Sequence, residues 1–299
     1  MKLQQLLMLT AVLLFMRNAV ALDVFACEPE WAALVDELGG ERVSLYSATS
    51  ALQDPHRIEA RPSLIAKLRR ADLLVCTGAG LEAGWLPMLV RKAANARVQP
   101  GRPGHFLAAA HVPLKEAPAQ LDRAQGDVHA DGNPHIQTDP HNIARVAAAL
   151  TERLATIDAA HASEYRERYL EFADTWTRAI ARWERQAAAL RGTPIVVQHR
   201  SWVYLSDWLG LVEVATLEPR PGVPPSSGYL AEVLEGLKAQ PAKLVLRAAY
   251  QDRQAAEWLH RQTGLPLVEL PFTVGGTDGA QDLYGLFDDS LARLLQAVQ

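Results

Sequence analysis

Short apolar runs alternate with amphipathic stretches along the first hundred residues. The amphipathic stretches, whose apolar positions recur every three or four residues, predict helices, and the apolar runs predict strands. The predicted strands are residues 22–26, 42–46 and 72–76, and the predicted helices are residues 31–38 and 62–70. A further helix is predicted over residues 81–92, with an interruption at Pro87. This order is typical of strand-helix-strand units with parallel strands.

One helical pattern is much longer than the others. Residues 142–156 predict a helix of ordinary length, but residues 163–190 continue the same periodicity almost without a break. At about 1.5 Å rise per residue, the second pattern would span ~40 Å, which is more than one lobe requires. It predicts a spine helix that joins two lobes.

Strand and helix patterns resume after the spine helix. They predict strands at residues 195–198, 211–215, 243–247 and 266–270, and helices at residues 229–239 and 251–263. Residues 99–104 and 113–131, which are rich in Pro, Gly and charge, predict loops. The predicted fold class is α/β, with two parallel-sheet lobes (residues 22–160 and 192–299) joined by the spine helix (residues 161–191).

The N-terminus has the pattern of a secretory signal. Lys2 precedes an apolar run at residues 6–16, and Ala19-Val20-Ala21 supplies small residues for cleavage. The run is shorter than the ~20 residues that a membrane-spanning helix needs. We therefore predict a signal peptide over residues 1–21 and a periplasmic protein; a lipoprotein modified at Cys27 is the alternative.

Charge and cysteine usage narrow the class of protein further. The chain has 30 basic and 34 acidic residues, a formal net charge of −4, and no basic cluster that predicts a nucleic-acid partner. The two cysteines, Cys27 and Cys76, each lie at the end of a predicted strand. Export permits a disulfide between them, and two buried free thiols are the equal alternative.

Three of the nine histidines stand out by their position. His56 follows a predicted strand, His135 precedes a predicted helix, and His199 ends a predicted strand. Ligands of parallel α/β sheets bind beside the carboxyl ends of the strands, so these histidines are candidates for one common site.

The sequence around these histidines resembles the zinc and manganese solute-binding proteins of bacterial ABC importers. The resemblance covers nearly the whole chain after residue 21, and its motifs occur in the order of the family. The motifs are Asp54-Pro55-His56 with Arg61-Pro62-Ser63, then Asn133-Pro134-His135 continuing to Asp139-Pro140, and then Gln198-His199-Arg200-Ser201-Trp202.

This resemblance implies a metal site in the cleft between the lobes, with His56, His135 and His199 as ligands. The family often places an aspartate near the last strand; here the nearest carboxylate is Asp278, which we predict as the fourth ligand, with His129 or water as alternatives. Three imidazoles favour Zn²⁺ over Mn²⁺, which prefers oxygen ligands.

The predicted function is therefore that of a monomeric periplasmic protein that binds zinc and delivers it to the membrane permease of an ABC importer. It is not an enzyme. The alternatives are a manganese- or iron-binding importer component, a periplasmic zinc store or adhesin with the same fold, and a zinc-dependent hydrolase. The hydrolase would need a base beside an open coordination position, and the sequence shows none.

Overall fold

Two four-stranded parallel sheets form the framework of the computed structural model, which describes residues 21–117 and 129–299. The strand order is β2-β1-β3-β4 in the N-terminal lobe and β6-β5-β7-β8 in the C-terminal lobe. The N-terminal strands are β1 (Leu22–Ala26), β2 (Val43–Ser47), β3 (Leu73–Cys76) and β4 (His105–Leu107). The C-terminal strands are β5 (Pro194–Val197), β6 (Val212–Thr216), β7 (Leu244–Ala248) and β8 (Leu267–Leu270).

Nine α-helices are assigned in the described part of the chain. They are α1 (Pro29–Gly39), α2 (Pro62–Arg70), α3 (Leu86–Ala93), α4 (Pro140–Ile157), α5 (Ala162–Gln186), α6 (Val203–Leu209), α7 (Ser227–Ala239), α8 (Gln254–Thr263) and α9 (Leu283–Ala297). Pro29, Pro62 and Pro140 occupy the first turns of their helices, where a missing N–H costs nothing. The Asp139 side chain also caps α4 by accepting a hydrogen bond from the backbone of His141 (2.8 Å).

The spine helix α5 ties the lobes into one core. Its buried face includes Trp176 and Trp183, and the Trp176 indole donates to the carbonyl of Pro140 (2.9 Å) at the start of α4. The same ring contacts Phe287 of α9 in the other lobe (5.6 Å between ring centroids). One hydrophobic core therefore runs from the first sheet to the second, and the predicted fold class is confirmed.

The predicted helix at residues 81–92 is shorter than expected. It begins at Leu86, with Pro87 in its first turn, and turns precede it. Those turns form because the buried carboxylate of Glu82 accepts hydrogen bonds from the backbone N–H groups of Thr77 (2.7 Å) and Gly78 (3.0 Å).

Strand β4 and helices α6 and α9 were not predicted, and the predicted loop 113–131 lies partly outside the described residues.

The cysteines form a disulfide that joins the ends of the neighbouring strands β1 and β3. Of the two alternatives that the sequence left open, a disulfide or two free thiols, the structure has the disulfide between Cys27 and Cys76. The predicted signal peptide lies outside the described residues except for Ala21. None of the described helices is long and apolar enough to cross a membrane.

Candidate metal centre

The three predicted histidines meet in the cleft between the lobes. His56 lies in the loop after β2, His135 directly before the short 3₁₀ turn that leads to α4, and His199 two residues after the end of β5. Each has a ring nitrogen within 4.8 Å of those of the other two, and the ring centroids are 5.5–6.1 Å apart. No other described histidine, cysteine or carboxylate belongs to this group.

Two of these histidines are oriented by the same local turn. In Asp54-Pro55-His56, the Asp54 carboxylate accepts from the backbone N–H of His56 (3.0 Å) and contacts its Nδ1 (2.8 Å). In Asn133-Pro134-His135, the Asn133 amide oxygen does the same at 3.1 Å and 2.8 Å. An oxygen at Nδ1 places the proton there and leaves the Nε2 lone pair for a metal. Both Nε2 atoms are buried and have no hydrogen-bond partner among the residues that the structure describes.

His199 is oriented by a residue far along the chain. Its Nδ1 lies 2.7 Å from the Glu218 carboxylate, which also accepts from the backbone N–H of Gly222 (2.7 Å). Glu218 follows β6, the neighbour of β5, so the parallel pairing of these strands brings the two residues together. The arrangement is the carboxylate–histidine pairing that supports metal ligands.

Burial favours the metal-binding form of His135. Desolvation, together with the charges of the neighbouring histidines His56, His199 and His129, holds the pKa of His135 well below its usual value. Its imidazole is therefore neutral at physiological pH, which metal coordination requires.

Contacts across the cleft hold the Asn133-Pro134-His135 motif in place. The Tyr204 hydroxyl of α6 donates to the carbonyl of Asn133 (2.7 Å), and the Asn133 amide donates to the carbonyl of Arg200 (2.9 Å). The Phe272 ring packs against His135 with 5.5 Å between ring centroids. His135 is consequently held by both lobes.

His129 lies beside the group without belonging to it. Its ring stacks on His56 at 5.3 Å between centroids, and it is 6.2 Å from the ring of His135. Gly80 makes this close approach possible, because a Cβ at Gly80 would lie 3.0 Å from the His129 Nδ1. His129 therefore covers one edge of the three histidines.

The structure does not bring Asp278 to the histidines. Asp278 is exposed and lies outside the group of ligand atoms. The loop that carries it closes on itself, because Gly275 donates to the carbonyl of Ala280 (2.6 Å) and Ala280 to that of Thr277 (3.1 Å). Among the described residues, no carboxylate lies where the family pattern implies a fourth ligand.

Sequence reasoning missed a cluster of buried carboxyl groups in the N-terminal lobe. Glu28, Glu30 and Glu82 are each 1–3% exposed. Desolvation raises the pKa of Glu28 well above its usual value and those of Glu30 and Glu82 to about 7. Glu28 and Glu30 flank the first residue of α1, where acidic residues are common for electrostatic reasons, so their burial could not be predicted from their positions.

Two α/β lobes that share a spine helix and enclose a cleft lined with histidines are the architecture of a metal-binding solute-binding protein. The model of the family described as zinc-uptake complex component A, periplasmic (ZnuA), matches residues 24–297, and the chain belongs to this family. It is a family of solute-binding proteins and not of enzymes.

Individual relatives agree with this membership. The manganese ABC transporter substrate-binding lipoprotein ScaA of Streptococcus gordonii is 29% identical over 152 residues, which are 46% of this chain and 49% of the relative. The zinc-binding lipoprotein AdcA of Streptococcus pneumoniae is 23% identical over 234 residues, 77% of this chain and 45% of the relative. The chain thus spans about half the length of these curated relatives.

A solved structure shows the same fold over almost the whole chain. The crystal structure of ZnuA superposes with a TM-score of 0.77 at 21% identity, and the alignment covers 93% of this chain and 100% of that one.

Proposed function

We propose that this chain is the zinc-binding component of an ABC importer, which binds one zinc ion through His56, His135 and His199. The observation that carries the proposal is the convergence of three imidazoles whose Nδ1 atoms are each engaged by an oxygen. This leaves the Nε2 atoms as the metal-binding groups, and three nitrogen ligands with one further position are typical of zinc.

The choice of zinc rests on the donor atoms. Manganese prefers carboxylate, carbonyl and water oxygens, whereas imidazole suits zinc, and the group contains no carboxylate among the described residues. The relatives are named for both metals: ScaA for manganese and AdcA for zinc. Manganese is therefore the competing cargo that the experiment must include.

The partner and location follow from the family. ScaA is named as a substrate-binding lipoprotein of an ABC transporter, which supports a membrane permease as the recipient of the ion. The signal-peptide pattern supports a periplasmic location, and we propose that the protein acts there as a monomer.

Replacing any one of the three histidines with Ala should weaken zinc binding by orders of magnitude, because the site loses both a metal bond and its preorganisation. His260→Ala is the matched control, since His260 is exposed on α8, outside the cleft. Competition against a chromophoric chelator measures the zinc affinity, and the same titration with manganese should give much weaker binding. Near-native zinc affinity in all three variants would refute the ligand set.

A further inference from the structure

A cavity of about 840 Å³ opens between the lobes beside the three histidines. His56 and His199 form part of its wall, and so do Asp54 and Glu218, which orient them. A single water occupies ~30 Å³ in the liquid, and a metal ion needs no more space. Cavities of roughly 300–1,000 Å³ hold small organic molecules. The space beside the metal group is therefore much larger than the ion requires.

One side chain in the cavity wall has a hydrogen-bonding group that no described residue satisfies. Gln198 is 4% exposed, and its Oε1 is buried without a hydrogen-bond partner. The backbone of this residue is held on both sides. Its N–H donates to the backbone carbonyl of Leu246 (2.8 Å), and its carbonyl accepts from the backbone N–H of Glu218 (3.1 Å). A buried acceptor without a donor is costly, so this position favours a ligand that brings an N–H.

The charges on the cavity wall have both signs. Asp252 and Glu257 supply acceptors on the side of the C-terminal lobe, and Arg57 and Arg261 supply guanidinium groups. Arg57 comes from the N-terminal lobe and donates to the carbonyl of Gly222 (3.3 Å) across the cleft. A wall of this kind suits a small molecule that carries both N–H donors and a carboxylate.

We propose that this cavity binds zinc together with a small amino-acid chelator, an inference that rests on the zinc site proposed above. Three imidazoles leave coordination positions open, and His56 and His199 reach the cavity wall whereas His135 and His129 do not line it. An α-amino acid releases its ammonium proton to the solvent on binding, and its amine nitrogen and one carboxylate oxygen then fill such positions. The metal-bound amine keeps N–H groups that can donate to Gln198 Oε1, and the second carboxylate oxygen can accept from a guanidinium group.

Equilibrium dialysis with radiolabelled L-histidine, with and without one equivalent of zinc, tests this inference. We expect about one labelled histidine to be retained per zinc-loaded chain and only background retention by the zinc-free chain. Metal analysis of the same samples reports zinc binding separately. If zinc is retained without histidine, the chelator proposal is wrong and the zinc site stands; if zinc is not retained, both proposals fall.

Two variants test whether the chelator occupies this cavity. Gln198→Leu keeps the side-chain size but removes the acceptor, and it should raise the dissociation constant for histidine at least tenfold while zinc is still bound. Leu230→Trp, which places a large ring on the cavity wall, should also reduce histidine retention. Gln281→Leu is the control, because Gln281 is exposed and lies outside the wall. Unchanged retention in both cavity variants would overturn the proposal.

Discussion

Each candidate ligand depends on an oxygen that orients its imidazole. For His56 and His135 this oxygen is two residues earlier in the chain, so the Asx-Pro-His pattern itself encodes the orientation. For His199 the oxygen belongs to Glu218, nineteen residues later, and only the pairing of β5 with β6 brings it into place. Two of the three supporting contacts are therefore local in sequence, whereas the third depends on the pairing of the strands.

Glu218→Ala should weaken zinc binding by roughly 10–100-fold, which is less than the loss expected for His199→Ala. The reason is that His199 keeps its nitrogen but loses the group that fixes its ring and tautomer. Chelator competition measures the loss, and Glu232→Ala on the exposed face of α7 is the control. An affinity equal to that of the control would show that Glu218 does not position the ligand.

His129→Ala should weaken zinc binding more than Asp278→Ala. His129 contacts the ring of His56 at the edge of the group, whereas Asp278 is exposed on a loop that closes on itself. Chelator-competition titrations of both variants compare their losses of zinc affinity. A larger effect of Asp278→Ala would mean that zinc binding rearranges the loop at residues 273–280, as the family pattern implies.

At the scale of elements, a buried acid links the first helix of one lobe to a loop of the other. Glu30, in the first turn of α1, contacts the Thr273 hydroxyl after β8, and its own backbone N–H donates to that hydroxyl (3.1 Å). Glu28 and Glu82 lie in the same buried cluster, and the Glu28 carboxyl accepts from the Thr77 hydroxyl (3.1 Å). These groups are more stable protonated in the folded state, because burial disfavours their charged forms.

The contribution of Glu30 to the stability of the zinc-free protein should fall as the pH rises from about 4.5 to about 7. In this window the folded protein keeps a proton on Glu30, whose pKa is raised to about 7, while the unfolded chain has lost it. The stabilising contribution is therefore complete below the unfolded pKa and is lost as the pH passes the folded pKa. Denaturant unfolding at several pH values measures this slope.

Glu30→Gln should remove this pH-dependent contribution, so the slope of stability against pH becomes more positive than in the native chain. It should also raise the stability at pH 8 by ~1–3 kcal/mol, since one pKa unit corresponds to ~1.4 kcal/mol. The neutral amide keeps a polar group beside Thr273 without a charge to bury. Glu232→Gln, on an exposed position of α7, provides the control. A slope identical to that of the native chain would exclude Glu30 as its source.

At the scale of the whole molecule, the two lobes share one hydrophobic core. Val24 and Leu73 from the first sheet, Ile195 and Leu244 from the second, and the buried face of α5 all belong to it. A continuous helix with a buried aromatic face resists bending more than an extended linker does, so opening the lobes would disrupt packed side chains.

Zinc binding should consequently change the overall shape little. We expect the radius of gyration from small-angle scattering to be nearly the same for the zinc-free and zinc-loaded protein, with the change confined to local ordering around the histidines. Hydrogen exchange gives the matching local measurement, and we expect added protection in the segments that flank His56 and His135. A large compaction on zinc binding would contradict the rigid spine.

The pattern of apolar and polar residues was sufficient for the fold class. Strands buried on both faces appear as continuous apolar runs, and β1 and helix α2 begin and end where the sequence predicted them. The predicted boundary was wrong at α3, because its start depends on turns in which the Glu82 side chain accepts from the backbone of Thr77 and Gly78. Local periodicity carries no information about such a contact.

The sequence by itself determined the two lobes, the spine helix and the three histidine motifs, because periodicity and short motifs are local properties of the chain. The tertiary structure alone decided that the three imidazoles converge and that Asp278 does not join them. It also decided that Cys27 bonds to Cys76, that Glu28, Glu30 and Glu82 are buried, and that a cavity lies beside the histidines. Each of these depends on how strands far apart in sequence pair and how the two lobes pack, which sequence spacing does not encode.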